Sequence, residues 1–297
     1  MKQKLLYVLP HCSTGGMPAY VLKQIQTYLP DHEIKAVEVN NLSDEYVVHK
    51  ERIANLCPLT QLYGRPSKLI EVVERFQPDI ISFQEIPETF LPAGVIHALF
   101  HPNRTHFNVV QAHSSKSDFS LLTHAPDRFV AVNNWQLREF KAYLASEAVV
   151  WEYPIENKTV DAYTKQEART ALGFSSCQRM VINVGLFTPG KNQAELMRKA
   201  RAWPAYTFHF VGNTADNFKA YWEPLLKDLP SNCYVHGERP DVDLFYKAAD
   251  FMWFTSTDEL NPIVVKEALG WNLPIFMRRL PTYGGDYDNN PLVTFYQ

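Results

Sequence analysis

Four side chains in this sequence have the types and settings to do chemistry: Glu259, Glu267, Lys191 and His113. The two glutamates stand eight positions apart in ADFMWFTSTDELNPIVVKEALGWNLPIF. The aromatic run Phe251–Phe254 reads as a buried parallel strand and Thr255–Asp258 as a polar loop. Pro262 falls where a first helical turn accepts proline. Val264, Val265, Ala268 and Leu269 recur at helical spacing, Gly270 ends that helix, and Pro274–Phe276 begins another strand. A carboxylate beside a helix N-terminus at the mouth of a parallel sheet can orient a hydroxylated group while the helix amides hold a phosphate. Lys191 lies after a buried strand and Gly185, a position suited to a phosphate contact; its plain alternative is a helix-entry lysine. His113 follows a strand directly, as a site residue or as a structural histidine would. Gly15 and Gly16 make either a tight turn or a close approach to substrate. Arg239, before Pro240, has the setting of a solvated arginine. The aromatic residues Phe208, Phe210, Trp253 and Phe254 read as core.

These residues need strands and helices in alternation to place them. In the first half, strands are expected at Lys4–Leu9, Ile34–Val39, Asp79–Phe83, His106–Ala112, Arg128–Val132 and Val149–Tyr153. Helices are expected over Met17–Leu29, Ser67–Phe76, Gly94–Phe100 and Trp135–Leu144. Asn40–Gly64 reads as irregular. The second half repeats the rhythm, with strands at Met180–Gly185, Tyr206–Val211, Cys233–His236, Phe251–Phe254 and Leu292–Tyr296. Its helices are expected at Lys165–Leu172, Gln193–Ala202, Asn217–Leu226 and Val242–Ala248. Such alternation implies parallel sheets covered on both faces. The polar connector after Pro154 divides the chain into two Rossmann-like α/β domains, 1–153 and 154–297, with a cleft expected between them.

Composition bounds the alternatives. A chain of 297 residues, 46% hydrophobic and 21% charged, is that of a globular protein of about two domains. The net charge of -3 provides no global basic field for nucleic acid or an anionic membrane. No apolar stretch reaches the ~20 residues that span a bilayer. The early apolar run is broken by Pro10 and His11, too soon for a signal peptide. Cys12, Cys57, Cys177 and Cys233 are scattered, which points to a reduced, cytoplasmic setting rather than a disulfide framework.

The loop after the first strand, HCSTGGMPAY, is not the dinucleotide-binding G-x-G-x-x-G. Walker A, HExxH and GxSxG motifs are absent, as are clustered cysteines. What remains is a pair of α/β domains with glycines and charges at the carboxyl ends of strands. The chain resembles a GT-B glycosyltransferase, most of all glycosyltransferase family 4, the retaining enzymes that use nucleotide-sugar donors. Glu259 and Glu267 match that family's paired-glutamate motif, followed by EALGWNLPI. VINVGLFTPGKNQ resembles its phosphate loop; FHFVGN and YVHGERPDVDLFYKAADFMWFTS resemble the segments around the nucleotide. LPHCSTGGMPAY, VVQAHSSK and FVAVNNWQ resemble the glycine loop, the histidine loop and the following turn of the first domain.

The resemblance implies transfer from a UDP-, GDP- or ADP-sugar to a glycan, lipid or small-molecule acceptor with retention, and no catalytic metal. It implies catalytic roles for Glu259, His113 and Lys191. It implies donor contacts from Gly185, Lys191, Gly212, Arg239, Glu259, Asn261, Pro262, Ile263 and Glu267, with Gly15 and Gly16 on the acceptor side. Glu259 would bind donor sugar hydroxyls, Glu267 the ribose, and His113 the sugar near the reacting centre. Two positions depart from the family pattern: Leu186 replaces an arginine, and Leu260–Asn261–Pro262 replaces a glycine-rich segment. Members of that family usually continue with helices after the last strand; with Leu292–Tyr296 close to Gln297, a second domain lacking those helices is expected, as a compact variant or a shortened chain. Three neighbouring activities share these features: an epimerase or hydrolase of nucleotide sugars, a weakly catalytic binding protein, and a transferase acting on modified DNA.

Overall fold

The computed structural model describes residues 2–13, 15–40, 48–158, 163–175 and 179–296. The chain divides into two compact units, Met1–Glu152 and Tyr153–Gln297. Each is built on one parallel sheet.

In the first unit the strands are β1 (Gln3–Leu9), β2 (His32–Glu38), β3 (Leu59–Gln61), β4 (Ile80–Phe83), β5 (Phe107–Gln111), β6 (Arg128–Ala131) and β7 (Glu147–Val150). They lie in the order β3-β2-β1-β4-β5-β6-β7. The helices are α1 (Gly16–Tyr28), α2 (Val48–Leu56), α3 (Lys68–Phe76), α4 (Ala93–Leu99) and α5 (Asn134–Lys141). Leu5 through Leu9 are all buried, because helices cover both faces of the sheet at its centre. One face packs Leu6, Val8, Ile81 and Phe83 against α3, α4 and α5. The other packs Leu5, Tyr7 and Leu9 against Val21, Ile25 and Ile53 of α1 and α2. Phe129 and Phe140 stack with ring centroids 3.9 Å apart and fix α5 on β6.

The stretch expected to be irregular contains α2 and β3. Among the described side chains of α2 only Ile53 is fully buried, and β3 has three residues, so neither leaves a strong periodic trace. Residues 41–47 of that stretch lie outside the described residues. The strand expected at Val149–Tyr153 is β7, which begins and ends earlier because its register runs from Glu147 to Val150 against β6.

In the second unit α6 (Lys165–Ala171) precedes β8 (Arg179–Val184), α7 (Gln193–Ala200), β9 (Tyr206–Val211), α8 (Lys219–Lys227), β10 (Cys233–Val235) and α9 (Val242–Ala248). Then come β11 (Phe251–Phe254), α10 (Ile263–Gly270), β12 (Ile275–Arg278) and β13 (Val293–Tyr296). The order is β10-β9-β8-β11-β12-β13. Thr164 caps α6: its hydroxyl accepts from the Glu167 N–H, and the Glu167 carboxylate answers from the other side. Phe208, Phe210, Trp253 and Phe254 are buried, as core aromatics should be.

Strand order reverses once in each sheet, between β1 and β4 and between β8 and β11. At such a switch point the loops leave in opposite directions and open a crevice at the carboxyl ends of the strands, where ligands of open α/β sheets bind. Both units carry the same parallel, doubly wound architecture.

Among the described residues no helix is long and apolar enough to cross a membrane. Cys12, Cys57 and Cys233 are buried thiols without a disulfide, and Cys177 lies outside the described residues.

Candidate functional site

The switch point of the second unit is built from glycines upward. Gly185 follows β8 at φ 155°, Gly212 follows β9 at φ 155°, and Gly237 follows β10 at φ 67°. The chains step against one another there. The Gly185 N–H donates to the Val211 carbonyl (2.9 Å), and the Gly212 N–H to the Gly237 carbonyl (2.8 Å). A Cβ on Gly212 would stand 2.0 Å from the Gly185 carbonyl oxygen, so only glycine fits. Gly237 belongs to this arrangement with the two glycines singled out from sequence.

Beyond Gly185 the chain turns on Thr188, whose carbonyl accepts from the N–H groups of Lys191 (3.1 Å) and Asn192 (3.2 Å). Asn192 takes the left-handed conformation, φ 53°, and α7 begins. The fully buried Gln193 amide donates back to the Leu186 carbonyl (3.0 Å), tying helix to loop. Lys191 is therefore held by its backbone from both sides.

The loop after β11 closes on this turn. The Thr255 hydroxyl donates to the Lys191 carbonyl (2.9 Å), and the Thr257 N–H donates to the Gly190 carbonyl (2.8 Å). Asn183, inside β8, donates to the Trp253 carbonyl (2.8 Å) and holds β11 at the same level. The result is a direct ion pair between the Lys191 Nζ and the Glu259 Oε1. The Glu259 side chain is 9% exposed and the Lys191 side chain 30%, so the carboxylate is the more deeply enclosed partner. The ammonium also lies 5.8 Å from the Phe254 ring centroid. Glu259 is anchored in turn through its carbonyl, which accepts from the Thr282 hydroxyl in the loop after β12.

Leu260 is buried, and Asn261 and Pro262 lead into α10, whose first residue is Ile263. Pro262 is the helix N-cap, with extended backbone (ψ 110°), rather than a residue of the first turn. Gly270 is the last residue of α10, as expected. It remains helical, and its lack of a side chain admits the Glu156 carbonyl, which a Cβ would meet at 2.2 Å. The Lys158 N–H then donates to the Gly270 carbonyl (3.1 Å), while the left-handed turn falls to Asn272 (φ 54°).

Glu267 faces a second polar cluster. Its Oε2 accepts from the Tyr246 hydroxyl of α9 (2.9 Å). Burial raises its carboxyl above the ordinary range, the Tyr246 hydrogen bond works against that, and Asp243 and Glu156 add to the rise. Arg239 is turned to its own loop: it makes two hydrogen bonds to Asp241, 2.7 and 2.8 Å, and lies over the Phe245 ring. Lys191 and Glu259 are thus joined directly, and Gly212 is packed on Gly185. Glu267 and Arg239 have separate partners.

In the first unit Gly15 is the N-cap of α1 at φ 135° and Gly16 its first residue; Thr14 lies outside the described residues. His113 follows β5. Its N–H donates to the Glu85 carboxylate (3.2 Å), and its Nε2 lies 3.1 Å from the Gln84 Oε1. The Tyr20 ring meets the imidazole edge-on, centroids 5.0 Å apart. Burial pushes the His113 pKa down to about 3. Gln84 and Glu85 come from the end of β4, at this unit's switch point, and Tyr20 from α1. The sequence carried one usable sign of them, two polar residues directly after an apolar strand. Among the described residues no three His, Cys, Asp or Glu side chains group as a metal site.

Residues 164–284 match the family model described as Glycosyl transferases group 1. That interval holds Gly185, Lys191, Gly212, Arg239, Glu259 and Glu267. The chain is 29% identical over 136 residues to the processive diacylglycerol alpha-glucosyltransferase of Acholeplasma laidlawii. This match covers 45% of the chain and 39% of that relative, well under half of its length. The Anabaena protein HepE, solved in complex with UDP and glucose, superposes with a TM-score of 0.78 at 16% identity, covering 99% of this chain and 86% of HepE. The sucrose-phosphate synthase of Thermosynechococcus elongatus superposes with a TM-score of 0.76 at 13% identity, covering 100% and 86% of the two chains.

Proposed function

We propose, from a chain that has the GT-B fold and resembles glycosyltransferase family 4, that it transfers a hexose from UDP to a hydroxyl-bearing acceptor with retention at the anomeric carbon. The observation that carries this reading is the Lys191–Glu259 ion pair across the β8/β11 switch point. An ammonium has three N–H donors, so Lys191 can keep Glu259 and still donate to a diphosphate. Leaving-group departure builds negative charge on that diphosphate, and a pre-placed cation lowers the barrier without reorganising at the moment of reaction. With Leu186 in place of an arginine, Lys191 and the amides at the start of α10 are the groups assigned to the diphosphate. Glu259 presents a carboxylate to sugar hydroxyls, and Glu267, its carboxyl raised above the ordinary range by burial, is assigned to the ribose.

Gly185, Gly212, Asn261, Pro262, Ile263 and Arg239 complete the proposed donor-binding set. In the first unit, His113 is assigned to the donor sugar and Gly15 and Gly16 to the acceptor. UDP is preferred to GDP and ADP because HepE was solved with UDP and with UDP-glucose. Retention is supported by the name of the Acholeplasma relative, an alpha-glucosyltransferase. An α-linked product from an α-linked donor keeps its configuration.

The test is UDP release from UDP-glucose and its epimers, with and without lipid and glycan acceptors, and the anomeric coupling constant of the product. Acceptor-dependent release with an α product supports the reading. Release independent of acceptor would make the protein a hydrolase. Binding without release would make it a sugar-nucleotide binding protein.

A further inference from the structure

The hydrogen bonds around His113 define more than its position. Gln84 is fully buried at the end of β4, and its own N–H donates to the Val8 carbonyl (2.9 Å), so its backbone is pinned to the neighbouring strand. Its side-chain amide is used at both ends: Nε2 donates to the Ser82 hydroxyl (2.7 Å), which leaves Oε1 facing the His113 Nε2 at 3.1 Å. A carbonyl oxygen only accepts, so the imidazole nitrogen opposite it must carry the hydrogen. Glu85 holds the other side of the residue. One carboxylate oxygen accepts from the His113 N–H (3.2 Å), and the second accepts from the Ile86 N–H and the Ser117 hydroxyl, both at 3.1 Å. The loop on either side of His113 is thereby clamped to the end of β4. The Tyr20 ring closes the remaining flank.

We infer that Gln84 and Glu85 are positioning residues that hold His113 as the neutral Nε2–H tautomer, with Nδ1 as a bare acceptor for a substrate hydroxyl. This rests on the glycosyl-transfer reading only for the identity of the hydroxyl, which we assign to the donor sugar. Gln84 after β4 and Tyr20 from α1 meet the ring, and Glu85 holds the His113 backbone. Glu85 is spent on backbone and hydroxyl donors, and its carboxyl is itself raised by burial. Among the described residues no carboxylate is hydrogen-bonded to the ring to stabilise an imidazolium, in keeping with the lowered pKa. His113 in this setting accepts a hydrogen bond; it does not deliver a proton. A histidine left to water would titrate near neutrality and exchange its two tautomers.

The experiment is two-bond nitrogen–proton NMR of the full chain labelled at histidine, with the His113 signals assigned by their loss in His113→Gln. The expected spectrum at pH 7 shows a single Nε2–H tautomer for His113, with no titration down to pH 5. An Nδ1–H tautomer, a mixture of the two, or a midpoint near 6.5 would overturn the inference. Gln84→Glu provides the second arm, because a carboxylate opposite Nε2 stabilises the imidazolium. Its expected effect is a rise of the His113 midpoint by at least one pH unit, with a new ionisation appearing in the pH profile of donor turnover. A midpoint unmoved by this substitution would also overturn it. The spectrum of the native protein does not depend on activity. The expected tautomer without nucleotide-sugar turnover would count against the function alone, and turnover with the other tautomer against this inference alone.

Discussion

Lys191 and Glu259 meet as an ion pair between loops that leave adjacent parallel strands in opposite directions, and the Thr255 hydroxyl fastens the lysine's own carbonyl to the second of those loops. The pair is therefore a property of the sheet's reversal of strand order. Neither loop alone would place it.

Replacing Lys191 by alanine removes the cation assigned to the diphosphate. Turnover of UDP-glucose is expected to fall by about 10²–10³-fold in kcat/KM, the size of loss seen when one pre-placed donor to developing charge is deleted. Glu259→Ala should cost a similar factor. Each variant leaves the other partner half-buried without its counter-charge, at about 1–3 kcal/mol of stability. Steady-state kinetics with urea unfolding separates the two effects, since the loss of activity must persist where both variants are folded.

Thr255→Val keeps the side chain's volume and removes the hydroxyl that donates to the Lys191 carbonyl. A stability loss of about 1–2 kcal/mol is expected from the buried acceptor left without its donor. The lysine should also lose registration, so the donor KM should rise several-fold with a smaller change in kcat. An unchanged KM would show that the clip has no part in donor binding.

The glycines divide into two kinds. Gly212 and Gly270 sit against carbonyl oxygens that an added Cβ would approach to 2.0 and 2.2 Å. Gly212→Ala and Gly270→Ala should each destabilise the chain by at least about 2–3 kcal/mol, since backbone must move to make room. Gly15→Ala meets nothing within 4 Å and carries only the strain of φ 135°, about 1–2 kcal/mol. Urea midpoints of the three variants check the ranking.

Acid should weaken the fold through its histidines. His113 and His209 are both lowered to about 3, each chiefly by burial, with His236 and Arg169 adding to the effect on His209. The unfolded chain therefore takes up protons first. Stability from these two groups is whole above pH ~6.5 and drains away as the pH falls toward their folded values, by up to ~1.4 kcal/mol per pH unit per histidine. Glu85 and Glu267, raised by burial, act with the opposite sign and offset part of this in the upper acid range. Unfolding free energies measured from pH 7 to pH 4.5 should fall less steeply for His209→Gln than for the native chain. Equal slopes would contradict the assignment.

The alternation of apolar runs with amphipathic stretches was enough to read two α/β sets, because parallel strands covered on both faces are continuous apolar words such as Leu5–Leu9 and Phe251–Phe254. The glycines, Lys191 and Glu259 were legible for the same reason: each lies just past such a word. What escaped was set by contacts between segments far apart in the chain. Pro262 lies one position earlier than expected, as the N-cap of α10, and Gly270 ends that helix as read but also makes room for the Glu156 carbonyl, a contact the sequence could not show. Gln84, Glu85 and Tyr20 acquire meaning only when β4 and α1 are brought beside the loop after β5. Tyr246 and Thr282 are ordinary residues until α9 and the loop after β12 reach Glu267 and Glu259.

Titration calorimetry of UDP-glucose and of UDP against the native chain, Lys191→Ala and Glu259→Ala tests the site most directly. The native chain should bind both ligands. Lys191→Ala should weaken both alike, through the diphosphate they share, while Glu259→Ala should remove the preference for UDP-glucose over UDP. Native-like binding of both ligands by both variants, or no binding by the native chain, would contradict the assignment of Lys191 and Glu259 to a nucleotide-sugar site.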